Sequence, residues 1–146
     1  MSNKYDIVIL GAGPGGYVAA LKAAQSGKSV ALIEKDNVGG MCLNWGCIPS
    51  KSLQKSAKVL ESFKKAKEFG IDGVDDSKIA PNWTAMMERA FKVVEKLTGG
   101  VNTLLTKNGV KIYNGFGEVV RDRTVDVNGE KLEFENLIIA TGSSYP

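Results

Sequence analysis

The sequence contains no histidine among its 146 residues. Imidazole is the commonest general base and a frequent zinc ligand, so any mechanism that needs either must obtain it from outside this chain. Only two cysteines are present, too few for the disulfide framework of a small secreted domain. The first residues do not have the layout of a signal peptide, and no apolar run approaches the roughly 20 residues that cross a bilayer. These absences predict a cytoplasmic protein without a membrane span.

Strong charge of either sign is also absent. The 19 Lys and Arg residues against 16 Asp and Glu leave a net charge of +3, too weak a field to predict a nucleic acid or an anionic membrane as partner. The hydrophobic share of 43% and the charged share of 24% are those of a globular protein. Glycine is the exception, with 17 residues, so the backbone is expected to turn tightly or to approach a ligand closely. The length predicts one domain, residues 1–146.

The first third of the chain has the pattern of a βαβ unit. The short apolar run Tyr5–Leu10 predicts a strand buried on both faces, as in a parallel sheet. An alanine-rich helix is expected over Tyr17–Gln25, ended by Ser26-Gly27, and a second strand over Ser29–Glu34. This order within a short stretch predicts a right-handed crossover between parallel strands.

Two longer helices and several strands are expected after this unit. Helical spacing of apolar residues predicts one helix over Pro49–Phe69 and another from about Asn82 to Asn108-Gly109, with Gly99-Gly100 as the candidate point for a bend. Asn128-Gly129 is typical of a type I′ hairpin turn. The remaining strands are expected at Val110–Tyr113, Glu118–Val120, Thr124–Val127, Lys131–Phe134 and Leu137–Ala140.

A glycine motif, Gly11-x-Gly13-x-x-Gly16, lies directly after the first strand and at the head of the first helix. The first glycine permits the sharp turn, Gly13 lets a pyrophosphate reach backbone N–H groups, and Gly16 lets the helix pack closely on the strand. Glu34, at the end of the second strand, is placed to accept both hydrogen bonds of an adenosine ribose. An ordinary tight turn is the alternative, but this context favours dinucleotide binding without separating FAD from NAD. The expected fold is therefore α/β, a Rossmann-like domain with a parallel central sheet, flanking helices and a small antiparallel β-meander.

The cysteines, Cys42 and Cys47, are five positions apart. In a regular α-helix their Cα atoms would be roughly 8.6 Å apart, whereas a disulfide needs less than about 7 Å. The pair can bridge only where the first helical turn is distorted, and Gly46 and Pro49 supply the freedom and the helix start that this requires. Two inert buried thiols are the alternative. A metal site is disfavoured, because no other Cys or His completes a ligand set.

On these motifs the sequence resembles the FAD-binding N-terminal part of the pyridine-nucleotide disulfide oxidoreductases, and most of all those that oxidise dihydrolipoamide. The resemblance is carried by Gly11–Gly16, Glu34-Lys35, Gly39–Lys51 and Ala140–Gly142, and the segment Leu97–Val101 separates this branch from glutathione and mercuric reductases. It implies an oxidoreductase in which electrons pass from dihydrolipoamide to a Cys42–Cys47 disulfide, then to FAD and finally to NAD.

The resemblance also implies roles for individual residues. Cys47 would lie beside the flavin in a charge-transfer contact, Cys42 would exchange with the substrate dithiol, and Lys51 would stabilise negative charge on the flavin ring. Glu34 would hold the adenosine ribose and Lys35 would lie near the adenine. The implied FAD contacts are Gly11, Gly13, Pro14, Gly16, Glu34, Lys35, Gly40, Met41, Cys42, Cys47, Lys51, Gly115, Ala140, Thr141 and Gly142. Met41 departs from the family, which usually has a small residue or Thr at this position.

Family members are much longer than this chain. They add an NAD-binding glycine motif, a returning segment of the FAD domain and a dimerisation domain, and the partner subunit supplies the catalytic His and Glu. The resemblance therefore implies a truncated piece, inactive alone, of a homodimeric enzyme that acts on dihydrolipoamide carried by lipoyl domains. Two alternatives remain: a flavin disulfide reductase of the mercuric or glutathione reductase type, and a non-catalytic nucleotide-binding module with inert cysteines.

Overall fold

The computed structural model describes residues 3–143, which contain a six-stranded sheet and four α-helices. The strands are β1 (Asn3–Leu10), β2 (Val30–Glu34), β3 (Lys111–Asn114), β4 (Gly117–Arg121), β5 (Thr124–Val127) and β6 (Glu130–Ile139). The helices are α1 (Pro14–Gln25), α2 (Gly40–Asn44), α3 (Cys47–Lys64) and α4 (Trp83–Lys107), with short 3₁₀ helices at Ala66–Phe69 and Asp76–Lys78. Within residues 3–143 no helix is both long and apolar enough to cross a membrane.

The strand order in the sheet is β3-β2-β1-β6-β5-β4. Strands β3, β2, β1 and β6 are parallel, whereas β5 and β4 continue the sheet in antiparallel pairing. Every residue of β2 is buried, as are the last three residues of β1, because a parallel strand is covered on both faces. The predicted α/β fold with a parallel sheet and an antiparallel meander is confirmed.

The last strand differs from the prediction. Two strands were expected, at Lys131–Phe134 and Leu137–Ala140, but β6 is one continuous strand. From Leu132 to its end it pairs parallel with β1, and its first four residues pair antiparallel with β5. Polar Asn136 interrupts the apolar pattern without ending the strand, since Asn136 itself pairs with Ile7 and Leu137 pairs with Val8. The hairpin before β6 is as predicted, with positive φ at both Asn128 and Gly129.

The helices also depart from the predicted bounds in detail. Helix α1 begins at Pro14, three residues before the predicted start, because proline suits the first helical position. Helix α3 begins at Cys47 and ends at Lys64, and a 3₁₀ helix covers the rest of the predicted segment. Helix α4 passes through Gly99-Gly100 without a break. The short helix α2 was not predicted.

Successive side chains of the central strands point to opposite faces of the sheet, so there are two cores, one on each face. Val8 and Leu10 of β1 pack with residues of β5 and β6, including Val125 and Leu132. Ile9, between them in sequence, points to the opposite face and packs in the core that receives α1 and α4. The carboxyl ends of the central strands are thus held between two packed layers.

One reciprocal polar contact joins the start of β1 to the segment before β2. The side chain of Asp6 accepts hydrogen bonds from the backbone N–H and the hydroxyl of Ser29, both at 2.8 Å. The Ser29 hydroxyl oxygen in turn accepts the N–H of Asp6 at 2.8 Å. The backbone hydrogen bond from Ser29, then its hydroxyl and the nearby Lys28 charge, lower the pKa of the Asp6 carboxyl below its ordinary value.

This contact predicts a pH-dependent contribution to stability. A carboxyl whose pKa is lowered by folding stabilises the folded state above its unfolded pKa of about 3.9, and the contribution disappears as pH falls through the folded value. Asp6→Asn is therefore expected to lower the urea midpoint at pH 6 and to have a smaller effect at pH 3. Equal penalties at the two pH values would contradict an ionised acceptor at this position.

Candidate functional site

Four of the predicted site residues, Gly11, Glu34, Gly115 and Ala140, lie at one edge of the sheet. Parallel strands β1, β2, β3 and β6 all end there. From β1 the strand order runs to β2 and β3 on one side and continues with β6 on the other, and this reversal of strand order marks the usual ligand crevice of such sheets. Backbone hydrogen bonds of 2.8 Å join the segments that follow these strands: Gly11 N to Ile33 O, Gly115 N to Glu34 O, and Ala140 N to Leu10 O. Residues far apart in sequence are thereby brought together.

The glycine turn between β1 and α1 leaves no room for side chains at two of its positions. A Cβ at Gly11 would lie 2.4 Å from the carbonyl oxygen of Ala140, and Gly11 has φ of +93°. A Cβ at Gly16 would lie 1.7 Å from the carbonyl oxygen of Gly11. At Gly13 the nearest atom to a Cβ is the Cα of Gly40, at 3.9 Å. Gly11 and Gly16 therefore serve the fold, whereas Gly13 borders open space.

The N-terminus of α1 is available to a ligand. Its N-cap, Gly13, makes no side-chain capping bond, and the first turn contains no acidic residue. The first intrahelical bond comes from Tyr17 N to Gly13 O, so the N–H groups of Gly15 and Gly16 have no intrahelical acceptor. Such an uncapped end, with Pro14 in its first turn, favours an anion such as a phosphate.

Glu34 is buried at the end of β2, and its carboxylate already holds the backbone of the site. Oε2 accepts the N–H of Ala12 at 2.7 Å and Oε1 accepts the N–H of Asp36 at 2.9 Å. A carboxylate offers about four lone-pair positions, so capacity remains for a ribose hydroxyl. This support of the glycine turn was not anticipated from the sequence. Contact with a ribose stays a prediction.

The segment that leads to the cysteines lies directly on the glycine turn. Gly39 N donates to Ala12 O at 2.8 Å, and a Cβ at Gly40 would lie 2.7 Å from the Cα of Gly13. The Asn44 side chain donates to the carbonyls of Val38 and Gly40 at 3.2 and 3.0 Å and holds the segment in shape. The glycine turn and the cysteine segment are thus joined by direct contact between their backbones.

Cys42 and Cys47 form a disulfide with their Cα atoms 4.7 Å apart. Cys42 lies in α2 and Cys47 is the first residue of α3, and the helix is interrupted between them at Trp45-Gly46. The predicted distortion of a regular helix is therefore confirmed. At Gly46 the structure shows a close approach that was not predicted, since a Cβ there would lie 3.1 Å from Met41 O. Cys42 is half-buried and Cys47 is exposed, so reagents reach the pair.

The other predicted site residues are more open. Lys51 follows Cys47 by one helical turn and is exposed, as is Lys35 after β2. Met41, beside Cys42, is 59% exposed. Thr141 and Gly142 are exposed at the edge of the sheet. The predicted roles of these residues in binding remain predictions.

Gly115 is held from a distant turn. Its φ is +154°, and a Cβ there would lie 2.6 Å from the amide group of Asn128. The Asn128 side chain donates to Asn114 O at 2.8 Å, so the hairpin of the meander closes over the end of β3. From the sequence Asn128 was only a turn residue.

Sequence reasoning also missed a contact between the cysteine-bearing helix and α4. Arg89 donates from Nη1 to the hydroxyl of Ser52 at 2.8 Å and to the Ser52 carbonyl at 3.1 Å. The two residues are 37 positions apart, and no local pattern indicates a pairing over that distance. No group of three or more metal-ligating side chains occurs within residues 3–143.

Comparison with known proteins gives one family match. Residues 5–146 match the model of the family described as pyridine nucleotide-disulphide oxidoreductase. The match covers the glycine turn, the cysteine segment and the last strand, which are the parts that the structure brings together.

Curated relatives at high identity are each named dihydrolipoyl dehydrogenase. The chain is 54% identical to the one from Acholeplasma laidlawii over 99% of the chain and 42% of that relative. It is 46% identical to the one from Corynebacterium glutamicum over 98% of the chain and 31% of the relative, and 41% identical to the one from Bacillus subtilis over 98% and 32%. The chain thus spans about a third to two fifths of these relatives' length.

Proposed function

Because the chain belongs to the pyridine nucleotide-disulphide oxidoreductase family, we propose that residues 1–146 form the FAD-binding domain of a dihydrolipoyl dehydrogenase. In this proposal the Cys42–Cys47 disulfide accepts electrons from dihydrolipoamide and FAD receives them. The observation that carries it is the contact of Gly40 with Gly13, since it seats a disulfide-bearing segment directly on a turn suited to a pyrophosphate.

Several features of the site fit FAD. The uncapped start of α1 and the open space at Gly13 suit the pyrophosphate. Glu34 retains acceptor capacity for the adenosine ribose, and exposed Lys35 follows it along the chain. At the other end of the site, Gly115 and the segment Ala140–Gly142 would contact FAD through their backbone. Met41 would replace the usual small side chain or Thr, which changes the packing near the disulfide.

The chemistry of the cysteines is thiol–disulfide exchange. A substrate thiolate attacks the sulfur of Cys42, the S–S bond breaks, and Cys47 leaves as a thiolate. The second substrate thiol then displaces Cys42 and closes the substrate disulfide. In total the substrate dithiol loses two electrons and two protons, and the cysteine pair gains the two electrons. The position of Cys47 at the first turn of α3 favours its thiolate, because the helix N-terminus is electropositive.

FAD, when bound, supplies the acceptor for this electron pair, which NAD finally receives at a site outside this chain. Lys51, one turn after Cys47 on the same helix face, would provide positive charge beside the acceptor. The chain contains no histidine, so an imidazole base for the substrate proton would come from outside it. The proposal therefore includes a homodimer whose partner subunit supplies that base.

Dihydrolipoamide attached to a lipoyl domain is the proposed substrate, since the curated relatives are named for it. We propose a cytoplasmic location, because disulfides in that compartment are mostly transient and catalytic, which agrees with an accessible pair beside a cofactor site. Residues 1–146 alone are expected to bind FAD and to perturb its absorption bands, but not to catalyse the complete reaction.

The test is a visible absorption spectrum of the chain with added FAD, before and after reduction by dithiothreitol under nitrogen. The proposal predicts perturbed flavin bands, and a new long-wavelength charge-transfer band on reduction that is lost in Cys47→Ser and retained in Cys42→Ser. The asymmetry is expected because, in this proposal, Cys47 and not Cys42 lies beside the flavin.

Other outcomes separate the alternatives. Perturbed flavin bands that neither the dithiol nor Cys47→Ser alters would indicate a nucleotide-binding module with inert cysteines. Bands identical to those of free FAD would contradict a working FAD site in these residues.

A further inference from the structure

The helix that carries Cys47 and Lys51 is anchored in an unusual way. Among the 18 residues of α3, all within the described range, the one buried residue is a serine, Ser52, 6% exposed. Leu53 and Leu60 are only half-buried. A surface helix ordinarily buries a stripe of apolar side chains, so the position of α3 depends more than usual on polar contacts.

Arg89 of α4 supplies that contact. Its Nη1 donates to both oxygen atoms of Ser52, the hydroxyl at 2.8 Å and the carbonyl at 3.1 Å. The next residue, Ala90, is completely buried, so α4 is closely packed at this point. Hydrogen bonds from a charged donor are stronger than neutral ones, and without Arg89 the buried Ser52 hydroxyl would lose this donor, which is costly for a buried polar group. Arg89 therefore links α3 to α4 through charge-assisted hydrogen bonds.

This pair of hydrogen bonds from Arg89 to Ser52, called the clamp below, lies close to the disulfide. Ser52 directly follows Lys51 and lies five residues after Cys47, which is roughly 7.5 Å along the helix axis. Cys42 is held separately, because the segment before it contacts the glycine turn through Gly39 and Gly40, and Asn44 holds that segment in shape. The distance between the two sulfur atoms after reduction therefore depends on how firmly the first turns of α3 are held.

We propose that Arg89 is a positioning residue that sets the dithiol–disulfide equilibrium of Cys42 and Cys47 through its clamp on Ser52. Its relevance to catalysis rests on the proposed function, whereas its effect on the cysteines does not. With the clamp, the two thiols stay close, their effective concentration is high, and the disulfide is favoured. Without this contact, the first turn of α3 would occupy more positions once the cysteines are reduced. The equilibrium would then shift from the disulfide towards the dithiol.

The experiment equilibrates the 146-residue chain with known ratios of reduced and oxidised dithiothreitol, without flavin, and measures the two cysteine states by alkylation and mass spectrometry. Each dithiothreitol that closes its ring loses two electrons and two protons, which the two cysteines receive. Arg89→Met is expected to shift the equilibrium about fivefold towards the dithiol, within the range of couplings between contacting residues. Ser52→Ala is expected to shift it in the same direction by less, because the carbonyl contact remains.

Two comparisons make the test specific. Lys92→Met removes the same charge from another exposed residue of α4, one turn after Arg89, and is expected to keep the wild-type equilibrium. The double variant Arg89→Met/Ser52→Ala is expected to match Arg89→Met alone, since both changes remove one interaction. Urea midpoints of the oxidised proteins verify folding, and should Arg89→Met fail to fold, Ser52→Ala carries the test.

An equilibrium in Arg89→Met or in Ser52→Ala equal to that of Lys92→Met would overturn the inference. So would additive shifts in the double variant, because they would show that the two residues act independently. A failure of the proposed function appears elsewhere, as free-flavin bands in the absorption experiment. Normal flavin behaviour with an unchanged equilibrium would remove only the role of Arg89.

Discussion

Gly16→Ala is expected to lose most or all of the stability of the chain. A methyl group at this position would lie 1.7 Å from the carbonyl oxygen of Gly11, so the start of α1 must move away from the end of β1. Gly16 is buried, and moving α1 also opens the core that contains Ile9 and Ala20. The expected loss is about 4 kcal/mol or more, a large part of the roughly 5–15 kcal/mol that stabilises a typical domain.

The matched control is the adjacent glycine. A Cβ at Gly15 meets only the Cβ of Ala140, at an ordinary 3.8 Å, and alanine is the better helix former by about 1 kcal/mol. Gly15→Ala is therefore expected to leave the urea midpoint unchanged or to raise it. Similar midpoints for Gly15→Ala and Gly16→Ala would show that the close approach of α1 to β1 is not what requires glycine.

Gly13→Ala is expected to abolish most FAD binding while the fold is kept. Gly13 has φ of −69°, which alanine adopts without strain, and a Cβ there meets no protein atom closer than 3.9 Å. The methyl group would instead occupy the space in front of the α1 N-terminus, where the pyrophosphate is proposed to bind. An increase in Kd of about a hundredfold is expected, equivalent to about 2.7 kcal/mol.

The measurement is a titration of FAD fluorescence with the chain, together with a urea midpoint for each variant. Gly99→Ala, a glycine-to-alanine change in α4 with nothing within 4 Å of the new methyl group, is the control and is expected to keep the affinity. A wild-type Kd in Gly13→Ala would rule out pyrophosphate binding at this turn. An unfolded Gly13→Ala would instead show that the open space at Gly13 is needed by the fold.

Much of the fold follows from local pattern. The apolar runs of β1 and β2, the proline at the head of α1 and the Asn128-Gly129 turn each require only neighbouring residues to be understood. The caps are equally local: Gly27 has positive φ after α1, and the Asn82 side chain accepts the N–H of Ala85 at the start of α4. Such features are predictable because the interactions that form them lie within a few residues of each other.

The elements that were predicted wrongly depend on contacts between residues far apart in sequence. Two strands were predicted, Lys131–Phe134 and Leu137–Ala140, with polar Glu135-Asn136 between them, yet pairing with β1 makes them one strand. Helix α2 was missed because five residues containing a glycine have little helical tendency alone. It is held by Asn44 and by contact of Gly40 with Gly13, which belongs to another segment.

The sequence by itself determined the order of elements, the glycine turn and the cysteine pair, since each is a matter of residue type and spacing over a few positions. Tertiary structure decided how these parts meet: Gly40 against Gly13, Glu34 beneath the turn, and Arg89 on Ser52. The physical reason is that a backbone contact or a buried hydrogen bond across many residues depends on packing of the whole sheet, which no local pattern encodes.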